Sequence, residues 1–257
     1  MTILNTPLHR ILFLDIETVS QFREYTDLPT ELVKHWNKKA HFIHRHLSEV
    51  PEEEQNEIYR QTYKEKAGIY AEFSKIVCIS LGVLDVEDDK KELRIKSIYG
   101  DDEKAILMAF TQLINQYYSN PKNSFFCGHN IREFDMPFIC RRMIVNGLKL
   151  PEILQIAGKK PWEVPYFLDT LELWKFGDYK HFISLDLLAA ILGISSPKGQ
   201  MDGSHVGHVY WEEQGLDRIV EYCEKDVLTV VQVYLAMRYE PGVLPEHVFS
   251  LTFDEEE

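Results

Sequence analysis

The chain is short of several things, and each shortage excludes a class of protein. No apolar run approaches the ~20 residues that a membrane-spanning helix needs, so no bilayer span is expected. The amino terminus, Met-Thr-Ile-Leu-Asn-Thr-Pro, lacks a basic stretch followed by a long apolar one; we expect no secretion signal and a cytoplasmic location. Cysteine is scarce and scattered (Cys78, Cys127, Cys140, Cys223), with no CxxC pair. These four read as reduced core residues rather than zinc ligands or disulfide partners. Cations are outnumbered too, 28 Lys and Arg against 41 Asp and Glu, for a net charge of −13. That balance argues against broad nonspecific binding of nucleic acid, which leaves a basic footprint. Part of it is local, because residues 254–257 are all acidic and read as a disordered tail. A cluster of metal-binding carboxylates would account for several more, and a protein holding only a few nucleotides needs few phosphate contacts.

What is present suits one large domain of 257 residues with 45% hydrophobic content, enough for a sizeable core. Residues 11–14 form an apolar run of strand length that leads into Asp15 and Glu17, with Ile16 between them. Residues two apart on a strand share a face, about 6.6 Å from each other. Two like charges held side by side at the end of a buried strand repel unless a cation such as Mg²⁺ or Mn²⁺ neutralises them. Taken alone, the pair is equally compatible with acids meeting water where a strand leaves the core.

Residues 18–74 have a composition of their own, polar and charged. Helices are expected over 29–47 and 51–70, started by Pro29 and Pro51. His35, His41, His44 and His46 lack regular ligand spacing and a completing acid or cysteine; a surface helix facing the substrate fits them better than a zinc site. Residues 75–84 read as a buried strand, and 92–99 alternate polar and apolar as a strand wet on one face. A helix follows with Asp101 as its cap, then a short strand at 124–128, then a helix that Pro137 opens. Asp135 stands at the start of that helix, where the dipole favours its ionised form. Lys159, Lys160 and Trp162 lie on a loop, and Leu168-Asp169-Thr170 ends another short apolar run. Ser184 caps a helix over 185–192, residues 195–208 with Lys198 read as a long mobile loop, and the last helix runs from about 216 to 238. Tyr222 and Asp226, four apart, share one of its faces.

Three motifs therefore stand in order: Asp-x-Glu on the first strand, Asn130-x-x-x-Phe134-Asp135 after a later strand, and Tyr222-x-x-x-Asp226 on the last helix. In this the sequence resembles the DEDD-type 3′→5′ exonucleases, in the subgroup with a tyrosine in the third motif (DEDDy), and looks like the proofreading exonuclease domain of family-B DNA polymerases standing alone. The resemblance spans residues 10–238. It departs at 18–74, longer than an exonuclease core needs, and nothing downstream reads as a polymerase.

The resemblance implies an α/β, RNase H-like (DnaQ-like) fold: a mixed five-stranded sheet flanked by helices, with the helical insertion after the first strand. We expect an exonuclease domain over 1–240 and an acidic tail over 241–257. It implies release of nucleoside 5′-monophosphates from the 3′ end of a single strand, with DNA favoured over RNA, by two Mg²⁺ or Mn²⁺ ions. Asp15, Glu17, Asp135 and Asp226 would hold those ions, with Asp15 bridging them, and Tyr222 would orient the attacking water. Asn130, Phe134, Lys159, Lys160 and Lys198 are candidate substrate contacts; Asp169 is an outside candidate for the acidic rim. Three other readings stay open: a catalytically silent nucleic-acid- or protein-binding module on the same scaffold, an exoribonuclease, and a phosphohydrolase of small substrates. A silent relative would be expected to lose a carboxylate or the tyrosine, and this chain keeps them all.

Overall fold

The structure is a computed structural model that describes residues 6–87, 90–194, 201 and 203–252. Its centre is a mixed sheet in the order β5-β4-β1-β2-β3-β6. The strands are β1 (Ile11–Ser20), β2 (Ser74–Glu87), β3 (Lys90–Tyr99), β4 (Phe125–Gly128), β5 (Phe167–Asp169) and β6 (Val248–Ser250). β1, β2 and β3 run antiparallel as a meander, while β4 and β5 lie parallel to β1 on its other side. The five expected strands are all there. β6 was not foreseen: it pairs parallel to the far edge of β3, inside the segment expected to be tail. Three residues ending in Phe249 and Ser250 carry too weak a pattern to announce a strand; here β3 supplies the partner.

β1 runs ten residues rather than ending at the acids. Asp15 pairs with Ser80 and Glu17 with Cys78, and the register slips just after Glu17. The acids thus stand in the middle of a central strand, not where a strand meets water. Phe13 precedes them on the same face and packs edge-on against Tyr234, ring centroids 5.7 Å apart. Tyr234 belongs to α8 (Leu216–Met237), which lies across β1, β2 and β3. Gly82 lets it come close, since a Cβ there would meet Val227 at 2.8 Å. Leu12, Leu14 and Ile16 on the opposite face are also buried, so the sheet is covered on both sides. α3 (Glu103–Tyr117) and α4 (Asp135–Val145) pack on β2. They are joined by the buried pair Arg142–Glu103, whose Nη2 and Oε2 lie 2.6 Å apart.

Two local expectations shift, and one short helix is new. The cap of α3 is Asp102, whose side chain accepts the Lys104 and Ala105 amides, while Asp101 instead accepts from the Tyr210 hydroxyl. Residues 206–208, expected as mobile loop, begin α7 (Val206–Trp211), whose buried Val206 and Val209 pack it on α8 and β1. α5 (Thr170–Lys175) follows β5 directly, capped by Asp169. Ser184 does cap α6 (Leu185–Ile191), through the Leu187 amide.

The insertion forms a helical hairpin of α1 (Thr30–Ile43) and α2 (Glu52–Lys66) around a small core of its own, with Trp36 and Tyr63 fully buried, rings edge-on at 5.1 Å. Its four histidines do not converge. His41 bonds the Tyr59 hydroxyl, His44 the Thr62 hydroxyl and His46 Glu49.

Candidate active site

β1 presents Asp15 and Glu17 on the face that α8 covers. Across from them α8 brings Cys223, whose thiol donates to the Asp15 carbonyl at 3.4 Å and to its carboxylate at 3.5 Å. One ligand atom from each of Asp15, Glu17 and Cys223 falls within 4.8 Å of the others. Among the described residues this is the one such group of His, Cys, Asp and Glu; Asp135 and Asp226 stand outside it and act on it through their charge. One turn on from Tyr222, Asp226 accepts a hydrogen bond from its hydroxyl.

The fourth carboxylate arrives from β4. Gly128 passes β1 closely, since a Cβ there would meet the Leu14 carbonyl at 3.0 Å and Ile131 at 2.9 Å. The chain then turns at Asn130, whose φ of 64° is left-handed, and starts α4 at Asp135. Asp135 is buried and takes a hydrogen bond from the Ile16 backbone amide, between the two acids of β1.

These four acids feel one another. Burial holds the Asp15 carboxyl well above the usual range, with Asp135, Asp226 and Glu17 adding their repulsion and the Cys223 thiol opposing it. Burial likewise raises Glu17, with Asp226, Cys78 and Asp135 contributing. Burial lifts Asp135 to about 7, aided by Asp169, and Asp226 to about 6, aided by Asp186. The Tyr222 phenol is pushed far up by burial and then by Asp226, Glu17 and Asp15, so it stays a proton donor. Desolvated like charges on three separate elements are costly alone, and oxygen-preferring divalent cations are what such a donor set suits.

Asp169 is the residue the sequence undersold. It is buried, and its carboxylate accepts the backbone amides of Asn130 at 2.9 Å and Arg132 at 3.1 Å while capping α5. It therefore shapes the loop that delivers Asp135. By its spacing Cys223 belongs to the buried stripe of α8, yet it touches Asp15; a four-residue helical step from Ile219 carries no sign of that contact. Beneath it, Cys78, Ser80, Ser97 and Glu224 form a buried hydrogen-bonded row, with Ser80 and Ser97 2.7 Å apart and Ser97 donating to Glu224 at 2.9 Å.

The other expected contacts lie further out. The Asn130 backbone is engaged by Asp169. Phe134 is half-buried, its ring 5.3 Å from Phe138. Lys159 and Lys160 are exposed on the loop before β5; Lys160 sits over Trp162 at 5.1 Å, and neither pairs with the four acids. Arg132 ties that loop to the Asp135 loop, donating to the Phe167 carbonyl at 2.6 Å. Lys198 lies outside the described residues.

No curated protein matches the chain. Its fold resembles that of the family B DNA polymerase from the hyperthermophilic archaeon Pyrobaculum calidifontis, with a TM-score of 0.50 and 14% identity over 90% of this chain. The chain spans 27% of that polymerase. The shared architecture is RNase H-like: the mixed sheet with helices on both faces. The model of a family described as a predicted 3′-5′ exonuclease related to the exonuclease domain of PolB matches residues 69–255, from the end of the hairpin through β6. On that match, which takes in Asp135, Tyr222 and Asp226 and starts after Asp15 and Glu17, the chain belongs to this family of PolB-related exonucleases.

Proposed function

We propose that this protein is a 3′→5′ exonuclease that removes nucleoside 5′-monophosphates from the 3′ end of single-stranded nucleic acid, DNA in preference to RNA, with the help of two divalent ions. The observation that carries this reading is the electrostatic coupling of Asp15, Glu17, Asp135 and Asp226, four acids from three elements, beside a phenol hydrogen-bonded to one of them. Membership of an exonuclease family supports it, and the likeness to a DNA polymerase favours DNA.

Asp15, Glu17, Asp135 and Asp226 would hold Mg²⁺ or Mn²⁺, which when bound lowers the pKa of the attacking water and stabilises the charge on the departing 3′ oxygen. The chain's own groups do the rest. Tyr222 keeps its proton and donates, so it orients a water rather than deprotonating it. Asp135, anchored by the Ile16 amide and by a loop that Asp169 holds, has one fixed place relative to Asp15. Its proton and that of Asp226 leave near neutral pH, while burial and mutual repulsion hold the protons of Asp15 and Glu17 more firmly until a cation replaces them.

The test is incubation of end-labelled DNA and RNA oligonucleotides, single- and double-stranded, with Mg²⁺ or Mn²⁺ and with chelator. Stepwise loss of 5′-mononucleotides from the 3′ end, stopped by chelator, is the expected result. No product from any strand under any of these metals would leave the silent binding module as the better reading.

A further inference from the structure

The chain carries 41 acids in 257 residues, a frequency at which 17 residues would hold two or three. Residues 32–48 hold none, and contain Lys34, Lys38, Lys39 and Arg45 with four histidines. This stretch is α1 and its exit. Lys34, Lys38 and Phe42 recur every four residues, so they form one stripe along the helix, and Arg45 follows just past its end. All four are exposed, Phe42 by 82%. His35 and His46 flank them and are exposed as well.

The opposite side of α1 is accounted for. Trp36 and Ala40 are buried, and His41 and His44 bond the neighbouring helix. Lys39 lies over the Tyr70 ring at 4.2 Å. The stripe has no such partners: among the described residues Lys34, Lys38 and Arg45 form no ion pair. Like charges four apart weaken a helix by a few tenths of a kcal/mol. The helix dipole welcomes cations at the last turn but gives no reason for Lys34 near the first. A bare cationic stripe with a solvent-facing ring in the middle has the features that grip a nucleic-acid strand: charges for phosphates, an aromatic face for a base.

Its position fits that occupant. The hairpin leaves β1 three residues after Glu17, where Ser20 pairs with Ser74 and the Gln21 amide meets the Phe73 carbonyl at 2.9 Å. Glu212, just past the end of α7, ties it down by pairing with Arg23 at 2.5 Å and with Lys64 of α2 at 3.9 Å. A 14-residue helix extends about 21 Å, so the stripe itself has the length of a few nucleotides of an extended strand.

We propose that α1 is the seat for the sugar–phosphate backbone of the substrate strand upstream of its 3′ end, gripped by Lys34, Lys38 and Arg45 with Phe42 against a base. This rests on the nuclease reading. It also gives an acidic protein the local cationic surface that its overall charge denies it.

The test compares the full chain with the variant Lys34→Gln/Lys38→Gln/Arg45→Gln. A charge-matched control, Lys104→Gln/Lys122→Gln/Lys149→Gln, removes three exposed cations elsewhere. Binding of a fluorescent 20-nucleotide single strand is followed by anisotropy in chelator, across a salt series. Three lost phosphate contacts should flatten the slope of log affinity against log salt by about 2, and weaken binding about 100-fold at 0.1 M salt. The control should follow the wild type, and Phe42→Ala should weaken binding with the slope unchanged. Affinity and slope within error of the wild type, or equal losses in the control, would overturn the proposal, as would a change confined to oligomeric state, which points to a second copy on the stripe. Because binding is read in chelator and cleavage by the wild type with metal, an active enzyme whose strand affinity ignores α1 sinks this proposal alone. A wild type that neither binds nor cleaves sinks both.

Discussion

Asp169 lies under the loop that carries Asn130, its Oδ1 accepting the Asn130 backbone amide at 2.9 Å. The same oxygen accepts the Leu171 amide at 3.0 Å, and Oδ2 accepts that of Arg132 at 3.1 Å. One buried carboxylate therefore starts α5 and sets the path by which Asp135 enters the site.

Asp169→Ala should strand those amides at a cost of about 2–4 kcal/mol. That corresponds to a fall in Tm of roughly 5–15 °C for a domain this size. Turnover should fall further than the lost folded fraction explains, since Asp135 loses its fixed approach. Calorimetry and kcat on the same samples separate the two; an unchanged Tm would show that the capping contacts carry no weight.

Asp15→Asn and Asp226→Asn should each abolish strand cleavage, by 10³-fold or more if they hold the ions of a metal-assisted site. Without metal both should melt at a higher temperature than the wild type at pH 8, because each removes one charge from a mutually repelling group. A variant that is inactive and also less stable would mark the residue as structural.

The metal-free protein should lose stability as pH rises. Asp135 and Asp226 sit at about 7 and about 6 when folded, above the ordinary 3.8. Raised carboxyls bind protons in the folded state that the unfolded chain has released. Stability is therefore greatest below about pH 4 as far as these groups are concerned, and falls from there to about pH 7. Added Mn²⁺ should raise Tm strongly at pH 8 and little at pH 5. A melting temperature that climbs between pH 5 and 8 in chelator would contradict the coupling of these acids.

Tyr222→Phe removes the hydroxyl that reaches Asp226. If the phenol positions the attacking water, kcat should drop by up to about 100-fold with KM little changed. A drop confined to KM would reassign Tyr222 to holding the strand.

Much of this was legible in the chain. Asp15 and Glu17 share a face because strands alternate, and Tyr222 and Asp226 share one because helices turn every 3.6 residues; both rules act over a few residues. The contact between Cys223 and Asp15 spans 208 positions, and no local period reports it. Asp169 looked like the end of a weak strand, since its partners Asn130 and Arg132 come from another strand's loop. β6 is a strand only because β3 offers it an edge. α7 is too short to show a period, and Gly and His residues disguise it.

The two ends of the helical hairpin are a single rung of the sheet, Ser20 opposite Ser74. Between them the two helices pack around a core of their own, and the return stretch rejoins the rest, Gly68 accepting from Thr18 and Ala71 from the buried Arg142. The helices of the hairpin are therefore the part of the chain whose outer surface is free to vary while a single rung keeps β1 and β2 in step.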